Sequence, residues 1–310
     1  MLNVERSTGS DLSGNLFAKG HAALSAGRLI GRDKEDNMSV ICIARAFGAL
    51  GDETGTELAK LTGYRLFDKD HIEQLMAERG LKPGVRERYD EKKPGFWASL
   101  SQDRDDYLHY LTSVLYAEAI KGDCIIVGRG ALALFSGLPS VLKIRLDAAY
   151  DFRLRNIITR FSCDARHAQH LLKQQDHDRK GFYDYFFNLN WLDPNNYHLT
   201  INSEWTPPAA AAAVIDRLRQ LLVTPDSTAA CAKRLAELNL GRQLISELIY
   251  HQHIPIHFLE AEVAGTKVTL HGVANTQGAI EAAISAARKV PGVVDVENAI
   301  QIVQEFAVMP

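Results

Sequence analysis

Three short stretches of this chain hold the residue types that could do chemistry. The first is Phe47-Gly48-Ala49-Leu50-Gly51-Asp52-Glu53-Thr54, with two glycines ahead of a helical pattern. In such a loop backbone N–H groups point at an anion, and the helix N-terminus adds partial positive charge, so the chemistry would be phosphate binding. The stretch does not match G-x-x-x-x-G-K-[ST], because Gly51 or Asp52 stands where the lysine would be. A plain strand-to-helix turn is the competing reading. The second stretch is Gly128-Arg129-Gly130, directly after an apolar run. Its guanidinium fork suits phosphate bidentately, and a surface arginine on a turn is the alternative. The third is Asp176-His177-Asp178-Arg179-Lys180, followed by Phe182-Tyr183-Asp184-Tyr185-Phe186. It reads either as a mobile cover over a substrate or as a helix with one solvated and one aromatic core face.

Alternating strands and helices must position these stretches. Ser39–Ala44, Arg65–Phe67, Cys124–Val127, Val141–Leu146 and Leu199–Asn202 read as short buried strands. Between them Glu53–Leu61, His71–Arg79, Asp105–Ile120, Asp151–Arg160 and Ala165–Lys173 read as helices, Pro208–Leu222 follows as another, and Lys82–Pro94 reads as a polar surface segment. That alternation predicts an α/β fold, a parallel sheet with helices on both faces. The loop and Arg129 both fall at carboxyl ends of strands, where open α/β sheets bind ligands. Beyond Val223 the pattern changes. Thr228–Asn239 and Gly241–His251 read as short helices, His257–Val263 and Lys267–Gly272 as a hairpin around Ala264-Gly265-Thr266, Thr276–Val290 as a helix and Val293–Val303 as a last strand. The expected organisation is a loose extension over 1–37 (with a short helix at Ala22–Ile30), a main domain over 38–222, a linker at 223–225 and a small α+β domain over 226–310.

Charge and composition exclude several classes. The formal net charge is −3, and only 6 basic residues against 9 acidic ones follow Pro225, so binding nucleic acid by charge is not expected. Trp97, Trp191 and Trp205 then read as packing residues. Cys42, Cys124, Cys163 and Cys231 form no C-x-x-C pair and read as free thiols of a reducing, cytoplasmic protein. No apolar run reaches bilayer length and no secretory leader is expected. His251, His253 and His257 are irregularly spaced across Pro255, so no metal site is expected of them.

Taken together, the motifs resemble the cytidylate-kinase-like family, P-loop nucleoside monophosphate kinases. Ile43–Gly55 and Leu58–Ile72 are similar to the family opening, which reads I-S-R-E-F-G-S-G-G-R-E-I-G with F-Y-D-K-E-L-I downstream. Cys124–Ala131 matches V-I-V-G-R-G-A. Gln175–Phe187 with Asn190–Asn202 matches its closing D-x-x-R…Y-Y…W-x-D-P-x-N-Y-D-L. The resemblance covers about Met38–Leu222. It implies ATP and Mg²⁺ as cofactors and a nucleotide as partner. It also implies that Gly48, Gly51 and Thr54 approach phosphates, that Arg45 supplies fixed charge, and that Asp68 and Arg129 hold the acceptor. Asp176 and Arg179 belong to the lid motif that stabilises the transferring group. Ala44, Ala46, Ala49, Leu50 and Asp52 replace the family's Ser, Glu, Ser, Gly and Arg, and Asp52 sets negative charge where phosphates would sit.

Thr266–Val273 and Val290–Asn298 resemble the G-x-V-x-L-x-G-x-V and V-x-G-V-x-x-V-x-N motifs of a BON domain. That resemblance covers about Asp226–Val303 and implies a lipid or small ligand with no catalytic residues. Two functions are therefore expected in competition. One is transfer of the ATP γ-phosphoryl group to a nucleoside monophosphate. The other is a catalytically degenerate nucleotide or anion sensor whose BON-like part reports to a ligand, partner or membrane surface.

Overall fold

The computed structural model describes residues 38–88 and 103–303. The expected N-terminal extension, the end of the Lys82–Pro94 segment and Trp97 lie outside the described residues. Along the main part run β1 (Val40–Arg45), α1 (Gly51–Thr62), β2 (Arg65–Phe67), α2 (Lys69–Glu78), α3 (Pro83–Arg88), α4 (Asp103–Ala119), β3 (Cys124–Val127), α5 (Ala131–Leu134), β4 (Val141–Asp147), α6 (Tyr150–Phe161), α7 (Ala165–Phe187), β5 (Leu199–Asn202) and α8 (Pro208–Leu222). The five strands form one parallel sheet in the order β2-β3-β1-β4-β5.

Strand alternation sends successive side chains to opposite faces, and both faces are buried. Val40, Cys42, Cys124 and Ile126 enter one core with residues of α2, α4 and α7. Ile41, Ile43, Ile125 and Val127 enter the other with Leu58 of α1 and Ile215 of α8. The central β1 is therefore apolar throughout and ends in Arg45, where the chain leaves the core for the loop.

Helix α7 settles the reading of the charged and aromatic stretch. It is one helix of 23 residues, capped at its start by Asp164 and stopped by Asn188 in the left-handed region. Phe182, Tyr183 and Phe186 are buried in the first core. The stretch is a helix with an aromatic core face, and the expected end near Lys173 is wrong because that face continues the helical period.

The C-terminal part contains α9 (Pro225–Ile245), a π-helical turn (Ser246–His251), β6 (Ile256–Ala264), β7 (Lys267–Ala274), α10 (Gln277–Ala287) and β8 (Asp295–Ile302). β6 and β7 form the expected hairpin, and β8 joins β7 in parallel. The two expected short helices are one. Helix α9 passes through Gly241, where a Cβ would meet the Ala261 carbonyl oxygen at 2.8 Å. That glycine lets β6 approach the helix; it does not end it. Cys231 and Leu235 pack into the first sheet's core, while Leu244 and Leu248 pack under β6 and β7. Different faces of one helix serve two cores, so no single apolar stripe marks it in the sequence.

The two parts also touch through His109 of α4. Its ring stacks on Tyr250 with centroids 4.2 Å apart, Nε2 lies 3.0 Å from Ser246 Oγ, and the Tyr250 hydroxyl donates to Asp106. Burial, then Arg242, Arg79 and His251, lower the His109 pKa from about 6.5 to about 4. The unfolded chain therefore binds a proton that the folded chain refuses between those values. Stability should fall as pH drops from about 6.5 towards 4, by up to ~1.4 kcal/mol per pH unit from this group. Urea midpoints at pH 7.5 and 5.0 should differ less in His109→Gln than in the parent; an equal difference would remove His109 from the account. Gly241→Ala should cost ~1–3 kcal/mol through the forced separation of β6 from α9, read by the same denaturation.

Candidate phosphate-binding cleft

A cleft of about 770 Å³ opens at the carboxyl end of β1, lined by Arg45, Gly48, Gly51, Asp68, Arg160 and Arg179 among others. Its floor is the loop between β1 and α1. Leu50 adopts the left-handed region at φ 55°, and α1 begins there without a side-chain cap. Gly48 has φ 79°, and a Cβ on it would meet the Arg153 carbonyl oxygen at 2.7 Å. Helix α6 thus lies directly on the loop. Asn156 Nδ2 donates to the Gly48 carbonyl at 2.9 Å, and Arg153 donates to Asp176 at 2.8 Å. At Gly51 a Cβ would fall 2.5 Å from Cγ of Arg45, so this glycine makes room for that arginine.

The charges around the loop are arranged in pairs. Asp52 lies 3.5 Å from Arg45 Nε and 3.2 Å from an Arg160 nitrogen, and Arg160 is also 3.8 Å from Glu53. Arg179 donates to the Arg45 carbonyl at 2.9 Å and is buried. The Phe47 N–H points to Asp176 at 3.5 Å, at the outer limit of a hydrogen bond.

The structure brings five of the expected residues to the cleft: Arg45, Gly48, Gly51, Asp68 and Arg179. Asp68 also caps α2 by accepting from the His71 N–H. Asp176 stands behind the loop, held by Arg153. Thr54 is fully buried, and its hydroxyl donates to the Leu50 carbonyl at 2.8 Å. Arg129 is 1% exposed, has φ 54° and is ion-paired with Glu73. It does not line the cleft, and it is no surface arginine either. Trp191 is buried as expected, whereas Trp205 is 80% exposed and does not pack. The W-x-D-P-x-N-Y segment is a clamp: Arg145 donates to the Trp191 carbonyl and sits 4.8 Å over its ring.

Sequence reasoning missed Arg153, Asn156 and Arg160 of α6. The available signal was their spacing of three and four residues, which sets them on one helical face. It also missed Glu73, one turn after Lys69. All four cysteines are free, with Cys42, Cys124 and Cys231 buried and burial raising the Cys124 thiol to about 12. Among the described residues no helix is long and apolar enough to cross a membrane, and no cluster of metal-binding side chains occurs.

A parallel sheet whose central strand runs through a glycine loop into a helix, with arginines from later helices converging on that loop, defines the P-loop kinase class of α/β fold. The chain belongs to the cytidylate kinase-like family, whose model matches residues 40–205, and a BON domain matches residues 237–304. Among solved structures, an uncharacterized protein from Eubacterium ventriosum ATCC 27560 is 19% identical, with a TM-score of 0.43, covering 59% of this chain and 98% of that one. A shikimate kinase from Acinetobacter baumannii in complex with shikimate is 16% identical, with a TM-score of 0.33, covering 60% and 93%. A gluconokinase from Sinorhizobium meliloti 1021 is 15% identical, with a TM-score of 0.37, covering 60% and 97%. Likeness at this level carries nothing about substrate. No curated protein matches the chain.

The loop geometry gives a direct stability test. Leucine in the left-handed region costs ~1–2 kcal/mol, so Leu50→Gly should leave stability unchanged or raise it by up to about 1 kcal/mol once the freer unfolded chain is counted. Gly48→Ala should lower it by ~1–3 kcal/mol, because the Arg153 backbone must move. Thermal unfolding of both variants checks this, and a reversed order would contradict the described loop.

Proposed function

We propose that this chain binds ATP by its phosphates in the loop cleft and transfers the γ-phosphoryl group to a nucleoside monophosphate. The observation that carries the reading is the convergence of Arg45, Arg160 and Arg179 on the glycine loop. Phosphoryl transfer needs positioning and charge neutralisation more than covalent chemistry, and these groups supply both. Asp52 and Glu53 face two guanidiniums, Arg45 and Arg160, and Arg179 brings a third cation to the cleft. The Arg160 side chain, reaching over from α6, returns the positive charge that the loop has lost at position 52.

The residues fit the phosphates better than they fit the expected metal partner. The Thr54 hydroxyl is committed to Leu50, so the carboxylates at the cleft wall, Asp52, Glu53, Asp68 and Asp70, are the oxygens that would face Mg²⁺. When bound, Mg²⁺ neutralises phosphate charge. Asp68 and the neighbouring cleft wall would face the acceptor. Arg129 acts through Glu73 as a strut for α2 in this reading, and Arg129→Ala would destabilise the site by removing the buried cation of that pair. The buried free thiols support a reducing, cytoplasmic setting, and the BON domain supports a lipid or small ligand at the C-terminal end.

The absent lysine favours a second reading, a sensor that binds nucleotide without turnover. A coupled assay with ATP, Mg²⁺ and CMP, dCMP, UMP or AMP separates the two. The enzyme reading expects turnover with at least one acceptor and a loss of at least about tenfold in Arg160→Ala. Nucleotide affinity without turnover on any acceptor would replace it by the sensor.

A further inference from the structure

The small C-terminal sheet has two edge strands, β6 and β8, and the fold treats them differently. β6 carries a bulge between His257 and Glu260, and α9 covers its outer side where the Ala261 carbonyl oxygen meets Gly241. β8 has neither device. Its register with β7 runs unbroken from Lys267↔Asp295 to Ala274↔Ile302, and it contains no proline and no lysine. All of β8 except Val296 and Ile300 is exposed, and no further strand is bonded to it among the described residues. So regular an edge presents unpaired N–H and C=O groups to another strand.

Those groups can be assigned. Along a strand, backbone groups alternate between the two sides in the sheet plane. The Val303 N–H donates to the Ala274 carbonyl at 3.1 Å, and the Asp295 N–H to the Thr266 carbonyl at 3.4 Å. The odd-numbered residues therefore bond to β7, and the N–H groups of Val296, Asn298, Ile300 and Ile302 face the open side. Of these, the Ile300 N–H donates to Asn298 Oδ1 at 3.0 Å, a side-chain acceptor where a neighbouring strand would supply a carbonyl.

The side chains of the edge decide which strand fits. Its two carboxylates, Asp295 and Glu297, lie in the first half, and Ala299 to Ile302 are uncharged. An acidic foreign strand would set like charges side by side. An antiparallel copy turned about Asn298 sets Asp295 against Gln301 and Glu297 against Ala299, so no like charges meet. The same turn brings Val294 and Ile302, 77% and 47% exposed, opposite each other. On the axis Asn298 meets Asn298, and an amide both donates and accepts, so it can bond its own copy. Even-numbered residues then face even-numbered ones, as the paired N–H···O bonds of an antiparallel ladder require.

We propose that β8 pairs antiparallel with β8 of a second copy of this chain, turned about Asn298, so that two three-stranded sheets become one continuous sheet. In that pair the Ile300 N–H leaves the Asn298 side chain for the Val296 carbonyl of the second copy. The contact is isologous, as a two-fold dimer needs. One strand pair buries little area, so the dimer forms and dissociates with protein concentration.

The test is sedimentation velocity of the full chain over a dilution series. The expected result is a mass that rises from one chain towards two. Asn298→Lys or Asn298→Asp places like charges on the axis and should raise the midpoint concentration about threefold or more. An equimolar mixture of these two variants pairs opposite charges there and should dimerise at a lower concentration than either alone. Asn298→Pro removes one outward N–H from each copy and none that bonds to β7, so it should abolish the dimer; thermal unfolding of each variant checks that it is intact. A parent that stays a single chain at every concentration would overturn the proposal and leave the edge to a strand of another protein. A dimer that all three variants leave unchanged, or a mixture no better than its components, would overturn it too, since the copies would then meet elsewhere.

Discussion

The site depends on the contact between Gly48 and the backbone of α6. The loop comes so close to the Arg153 carbonyl that no side chain fits between them. This contact sets the depth of the cleft, brings Asn156 onto the loop carbonyl and delivers Arg160 to Asp52. Without it the loop would be an ordinary strand-to-helix turn with an acidic first helical turn, which repels phosphate. The arginines that reach the cleft come from β1, α6 and α7, three elements far apart in sequence. Their meeting is a property of the parallel sheet that orders those elements.

The loop holds a backbone shape that its own side chains do not favour. Leu50 keeps a left-handed conformation that glycine adopts without strain, and Gly51 still makes room for Arg45. The shape is held by β1 in the sheet core and by α6 against Gly48. Local strain of this kind persists where its surroundings over-determine it. The guanidinium beside Asp52 comes from a different helix, as Arg160 of α6.

The five strands and the loop could be read in the sequence because short apolar runs of β-branched residues between helical patterns have few other solutions. The hairpin at Gly265 could be read for a similar reason. Tertiary context decided the rest. The sequence reads as two helices with a break just before Gly241, yet the missing Cβ there admits β6 to one continuous helix. Arg129 reads as a ligand arginine between two glycines, yet Glu73 buries it, and nothing local in the sequence announces that pairing. Arg153, Asn156 and Arg160 look like the solvated face of an amphipathic helix until the fold lays that face on the loop. Helix α9 is cryptic because its two halves answer to different cores.

The proposed role of Arg160 is to offset the acidic start of α1 at the loop. It is tested by titrating the protein with MgATP in a double-mutant cycle of Asp52→Ala and Arg160→Ala. Arg160→Ala should weaken binding by at least about tenfold, and the additional Asp52→Ala substitution should recover part of the loss. Unchanged affinity in Arg160→Ala, or strictly additive effects of the two substitutions, would contradict it.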